Sequence, residues 1–281
     1  MIEKFEMRIE MLNKVRTIRV WLPESYKDMT EQRYPVIYMH DGQNLFNKED
    51  AAYGMSWDAH KAVETLSKTL KNSDGTSFEG CIIVGIDNAP GLERLDEYSP
   101  WASEAVKSLK DFESIQREIG GEGEAYGTFI IKTLKPYIDA SYRTLSNREH
   151  TCIIGSSMGG FISLYMGSEY QETFSKIGAF STAVWFEEDA LLAQLEKVNL
   201  RFRTKWYLDV GTKETSNDAI SDFNERYING TKKVASKLSE MGVLTSDLKL
   251  IIEEDAVHNE LAWARRLPNA LKWLFDLNDE V

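Results

Sequence analysis

The chain predicts an α/β fold: a mostly parallel central sheet with an antiparallel N-terminal edge and helices on both faces. Three observations predict it. Apolar runs of strand length occur at 35–39, 81–86 and 150–154. Segments with apolar residues at three- and four-residue spacing lie between such runs. The third is Gly155-Ser156-Ser157-Met158-Gly159-Gly160, a tight turn joining an apolar strand to a helix. Strands that are apolar on both faces need cover on both sides, and helices crossing between parallel strands supply it.

Taken in order, residues about 3–11 and 14–22 alternate in polarity and read as an antiparallel pair turned near Asn13. Residues 35–39 form a buried strand. Residues 58 to about 71 carry Ala59, Ala62, Val63, Leu66 and Leu70 at helical spacing. The run 81–86 is another buried strand. A stretch at about 88–118 is rich in charge and aromatics and has no strong period. It is longer than a compact connection, so it is expected to be a lid-like insertion. Residues 122 to about 137 read as a helix that Pro136 kinks or ends. The strand 150–154 and the helix around 161–166 flank the tight turn. A strand at 176–181, a helix at 187–198 and a strand at 204–210 follow. An amphipathic helix at 218–241 is stopped by Gly242. A strand at 248–252 and a helix at 261–275 finish the chain. No repeat or low-complexity linker interrupts it, so residues 1–281 are expected to form a single domain.

Composition narrows the function. The 281 residues are 42% hydrophobic and 11% aromatic, enough for a sizeable core. No segment approaches the roughly 18 apolar residues of a membrane helix. Met1-Ile2-Glu3-Lys4-Phe5-Glu6 carries acid early and no apolar stretch of a signal peptide, so a cytoplasmic location is expected. A net charge of −12 repels nucleic acid and anionic membranes, and neither is expected as a partner. Cys81 and Cys152 sit in apolar strand runs and read as small core residues. No metal-ligand spacing of Cys and His appears, so no metal and no cofactor are expected.

The tight turn is Gly-x-Ser-x-Gly with Ser157 at its centre, the setting of a nucleophile elbow. A serine hydroxyl needs a base to take its proton, and the base needs a carboxylate to hold its tautomer. Of four histidines, His60 lies within the first helix, His150 at the far end of the elbow strand, and His40 at the end of the strand 35–39. His258 follows the last strand, at the sheet edge where the elbow opens. It is the expected base. Glu214, just beyond the strand 204–210, is the expected acid. Asp209 and Asp218 stand as its alternatives, and Asp255 reads as a solvated loop carboxylate. The amides of Met158 and Gln43 are the expected oxyanion donors, Gly42 letting the backbone approach closely. His40 and Asp41 are candidates to orient that loop.

These residues resemble a known group. Tyr34-Pro35-Val36-Ile37-Tyr38-Met39-His40-Asp41-Gly42-Gln43-Asn44-Leu45-Phe46 is similar to the oxyanion-loop motif of the putative-esterase (esterase D-like) family of α/β-hydrolases. The segments 155–160 and 207–214, and His258-Asn259-Glu260 with Trp263, also match it. Its enterochelin esterase-like branch is the nearest in pattern, beside feruloyl and carbohydrate acetyl esterases. The resemblance covers nearly the whole chain and implies an α/β-hydrolase fold with a Ser157–Glu214–His258 triad. Many relatives have Asp where this chain has Glu214, and some siderophore esterases use a Ser–His dyad. The resemblance further implies substrate contacts: Arg94 of the insertion for a substrate anion, its alternative being a pair with Glu97 or another acid, and an aromatic wall of Tyr98, Trp101 and Trp57, its alternative being a local hydrophobic cluster that holds the insertion down. Trp185 follows the strand after the elbow helix and is expected in the same pocket. The expected function is carboxylic ester hydrolysis through an acyl-enzyme, on a small-molecule siderophore lactone, aryl ester or acetylated carbohydrate. Acyl transfer on the same triad, peptide cleavage, and a non-catalytic binding role on this scaffold are the alternatives.

Overall fold

The structure is a computed structural model and describes residues 2–108 and 115–279. Residues 109–114, part of the expected insertion, lie outside the described residues. One eight-stranded sheet runs through the molecule. The first strands, β1 (Ile2–Ile9) and β2 (Lys14–Trp21), pair antiparallel from Ile2 opposite Trp21 to Ile9 opposite Lys14. Asn13 turns between them at φ 54°, a left-handed conformation that asparagine tolerates. The sheet continues with β3 (Val36–His40), β4 (Ile82–Ile86), β5 (Thr151–Ser156), β6 (Lys176–Phe180), β7 (Lys205–Lys213) and β8 (Leu248–Val257). Their spatial order is β1-β2-β4-β3-β5-β6-β7-β8. β2 meets β4 antiparallel, and every pairing from β4 to β8 is parallel.

Among the described residues the α-helices are α1 (Ala59–Thr69), α2 (Glu93–Glu97), α3 (Gly123–Phe129), α4 (Lys135–Ser141), α5 (Met158–Glu169), α6 (Glu188–Lys197), α7 (Phe223–Glu240) and α8 (Glu260–Leu274). Successive strand residues point to opposite faces, so the sheet divides the interior into two cores. Ile37, Met39, Ile83, Cys152 and Ile154 face the core built with α1 and α8. Val36, Tyr38, Ile82, Val84 and Ile153 face the larger one, built with α3 to α7. β3 and β5 are buried along their whole length, which is why they read as continuous apolar runs. A fully buried Ile or Phe in either core contributes about 2 kcal/mol of transfer free energy. Among the described residues no helix is long and apolar enough to cross a membrane.

Three boundaries differ from expectation. Pro136 does not end its helix. A π-helical segment, Ile130–Leu134, precedes it, and the chain continues as α4 to Ser141. A wide turn loosens the backbone pattern where proline lacks a donor. α7 begins at Phe223, later than the periodicity suggested, and Asp218 is exposed in the preceding turn. β8 runs to Val257, beyond the expected end at 252, because β7 extends to Lys213 and pairs it with Val257.

Described parts of the 88–118 stretch are tied to the body of the molecule. Ala102–Ser103 pairs with Ile119–Gly120. Glu97, fully buried, takes two hydrogen bonds from Arg16 of β2.

Candidate active site

Ser157 stands between β5 and α5 at φ 57° and ψ −122°, a region that costs an L-residue of order 1–3 kcal/mol. Its surroundings hold it there. Its amide donates to the Phe180 carbonyl at 2.9 Å, and its carbonyl accepts from the amides of Phe161 and Ala183, each at 3.1 Å. The turn closes so tightly that a Cβ at Gly155 would lie 2.4 Å from the carbonyl of Gly159. Only glycine fits there.

The extended β7–β8 pairing positions the next two groups. Lys213 and Val257 are partners in register, so the following residues, Glu214 and His258, leave adjacent strands side by side. Glu214 Oε2 lies 2.6 Å from His258 Nδ1. The carboxyl is 1% exposed. Burial works against its charge, yet His258, the Ser181 hydroxyl and the Gly211 amide together hold it below the ordinary carboxylate range. Asp209, the alternative acid, does not reach the imidazole. It lies within β7, where it accepts from the Ser181 amide at 3.2 Å and from Arg266 Nε at 3.0 Å.

Behind Glu214 lies a polar cluster that motif reading misses. Ser181 Oγ donates to Glu214 Oε1 and accepts from Trp263 Nε1 at 2.8 Å and from Arg266 at 2.9 Å. The imidazole of His258 is also packed by two rings. Trp263 meets it edge-on at 5.1 Å between centroids, and Tyr227 lies 4.8 Å away. The Tyr227 hydroxyl bonds Ser216 Oγ at 2.5 Å, and the side chains of Ser157 and Trp185 approach it. Burial pushes that phenol up to about 12. Arg266 belongs to the buried stripe Ala262, Trp263, Arg266, Leu267, Ala270 of α8. An arginine inside an apolar helical stripe is the signal that marks it in sequence.

The loop after β3 is fixed by hydrogen bonds. His40 Nδ1 lies 2.8 Å from the Tyr126 hydroxyl, and burial drives its pKa down to about 3, so this histidine is a neutral packing group. Asp41 sits at φ 56°. Its amide donates to the Tyr98 hydroxyl at 3.0 Å, and its carboxylate accepts from Asn88 at 2.7 Å. Arg94 donates to both Asp41 oxygens, at 2.6 and 2.9 Å. The turn's first bond runs from the Asn44 amide to the Asp41 carbonyl at 2.8 Å. The Gln43 amide lies before that bond and is not consumed by it, and Met158 opens α5 in the same way. Gly42 packs against β4, where a Cβ would come within 2.8 Å of Gly85.

Ser157, Met158, Trp185, Arg94 and His258 line one cleft of about 780 Å³. Leu92, Leu95 and Val106 add an apolar wall from the insertion. Other expected substrate contacts lie elsewhere. Trp57 is buried in the core between Phe180 and Trp263, at 5.0 and 5.6 Å between ring centroids. Tyr98 is fully buried beneath the Asp41 turn. Trp101 packs edge-on against Phe161 and Tyr165 of α5. These three rings hold the cleft's frame and do not form its wall. Arg94 lines the cleft, with its Nε and Nη2 bound to Asp41. A second depression, of about 910 Å³ between β8 and α8, contains none of the residues above except Arg266. Among the described residues no cluster of His, Cys, Asp and Glu is arranged to hold a metal ion.

Comparison with other proteins follows this geometry. The family model described as Putative esterase matches residues 9–274. The uncharacterized protein YbbA of Bacillus subtilis is 26% identical over 264 residues, covering 94% of each chain. The BES protein from Bacillus cereus superposes with a TM-score of 0.73 at 21% identity, covering 100% of this chain and 96% of that one. Siderophore hydrolase EstA from Aspergillus nidulans gives a TM-score of 0.73 at 18% identity, over 98% and 94% of the two chains. At such identities the structural likeness speaks for the fold alone. The family match runs from the end of β1 to the end of α8, and the protein therefore belongs to the Putative esterase family of the α/β-hydrolase fold.

Proposed function

We propose that this protein is a serine hydrolase that cleaves carboxylic esters of small molecules through an acyl-enzyme. Ser157 Oγ attacks the ester carbonyl and its proton passes to His258 Nε2. The carbonyl oxygen takes the negative charge and is met by the amides of Gln43 and Met158. The bond to the alkoxy oxygen then breaks, and His258 returns the proton to the departing alcohol. Water repeats the sequence on the acyl-enzyme, releasing the acid and restoring Ser157. Glu214 holds the imidazole tautomer and stabilises the imidazolium. Trp185 and the apolar wall of Leu92, Leu95 and Val106 shape the substrate pocket. A siderophore lactone, an aryl ester and an acetylated carbohydrate all suit this chemistry.

The observation that carries the reading is the 2.6 Å contact of Glu214 with Nδ1 of His258, which lines the same cleft as the strained Ser157. The test is Ser157→Ala. This variant is expected to lose p-nitrophenyl acetate turnover while keeping its circular dichroism, and the wild type to be labelled at Ser157 by a fluorophosphonate. Full residual turnover in Ser157→Ala overturns the assignment.

A further inference from the structure

The cleft contains a carboxylate that the proposed reaction does not use. Glu260 follows His258 by two residues and opens α8. It is 4% exposed, yet it lines the same cleft as Ser157 and His258. Its Oε1 accepts from Asn44 Nδ2 at 3.0 Å, and its own amide also faces the carboxylate. Among the described residues nothing else bonds it, so acceptor capacity remains on the cleft side. The start of α8 favours a negative charge there. Burial and the nearby Asp41 raise its pKa, while His258 and Arg94 oppose that shift.

The charges around it are uneven. Among the described residues lining the cleft, Arg94 is the only lysine or arginine. Its Nε and Nη2 are bound to Asp41. The lining therefore carries two carboxylates, Asp41 and Glu260, against one guanidinium that is already paired with Asp41, and Glu260 adds negative charge beside the reacting groups. An anionic substrate group entering this space meets repulsion in a low dielectric. A donor on the substrate recovers hydrogen bonding that a poorly solvated carboxylate otherwise lacks.

We propose that Glu260 is a specificity-determining residue. Its carboxylate binds a hydrogen-bond donor on the ester, a hydroxyl or an ammonium, and it selects against esters that carry an anion. The inference rests on the ester-hydrolase reading above and names the substrate class for it: neutral or cationic esters bearing a donor.

The test compares kcat/KM by pH-stat for two matched series on the full chain. On the acyl side the esters are methyl butyrate, methyl β-hydroxybutyrate and monomethyl succinate. On the alcohol side they are propyl acetate, ethylene glycol monoacetate and acetoxyacetate. In at least one series the hydroxyl ester is expected to exceed its apolar partner by about tenfold or more, with the anionic ester slowest. Glu260→Gln keeps an oxygen for Asn44 and removes the charge. It is expected to shrink the penalty on the anionic ester by about tenfold. Circular dichroism and labelling at Ser157 report whether the variant has folded. An unchanged order in folded Glu260→Gln, or no preference in either series for the wild type, overturns the role of Glu260 while leaving ester hydrolysis standing. Failure of every ester, together with an unlabelled Ser157 in the wild type, overturns both.

Discussion

At the scale of single residues, the site is built from conformations and contacts that cost stability in isolation. Ser157 is the clearest case. Its backbone lies where glycine is comfortable and other residues are not, and three backbone hydrogen bonds hold it there. Ser157→Gly is expected to be more stable than Ser157→Ala by about 1–2 kcal/mol in urea unfolding, with both inactive. Equal stabilities would mean that the elbow stores no strain. Ser181 shows a different economy. One hydroxyl joins Trp263, Arg266 and Glu214, so Glu214 is positioned by α8 as well as by its own strand.

Elements act as lever arms for these residues. β7 and β8 extend far enough to pair Lys213 with Val257, and this extension sets Glu214 against His258. α5 begins at Met158 and so delivers an amide beside Ser157. The insertion is held through a buried ion pair between Arg16 of β2 and Glu97 of α2. Removing Arg16 leaves the buried Glu97 without a hydrogen-bonded partner, with only Lys14 at 3.8 Å against its charge. Arg16→Met is expected to cost about 3–5 kcal/mol in urea unfolding. The double change Arg16→Met with Glu97→Leu is expected to recover most of that loss, because the unpaired buried charge disappears. A double variant no more stable than the single one would show that packing, not charge, is lost.

Across the whole molecule, α8 couples the core to the site through Arg266 and Asp209. Burial pushes Asp209 from its ordinary 3.8 up to about 7; Glu214 adds to the shift, and Arg266 opposes it. The folded state then binds a proton that the unfolded chain has already released. The stability due to this group is complete below about pH 4 and is lost as pH rises through about 7. The unfolding free energy of the wild type relative to Asp209→Asn is therefore expected to fall between those limits in urea titrations. A flat difference would show that Arg266 keeps Asp209 ionised throughout.

The sequence by itself determined the α/β order of elements, the family, and the residues that converge on the cleft: Ser157, Glu214 and His258 were legible from motif and strand position. Period-two and helical patterns report which face of an element is buried, and Gly-x-Ser-x-Gly reports a turn that few residues can make. Only the tertiary structure decided what each aromatic and charged side chain touches. Trp57, Tyr98 and Trp101 look like a substrate wall in one dimension and are packing groups in three. Arg94 has acids such as Glu97 close by in sequence, yet it binds Asp41, fifty-three residues away along the chain. Glu260 and Asn44 meet across 216 residues. Such partnerships depend on long-range placement of strands and helices, and local patterning holds no record of them.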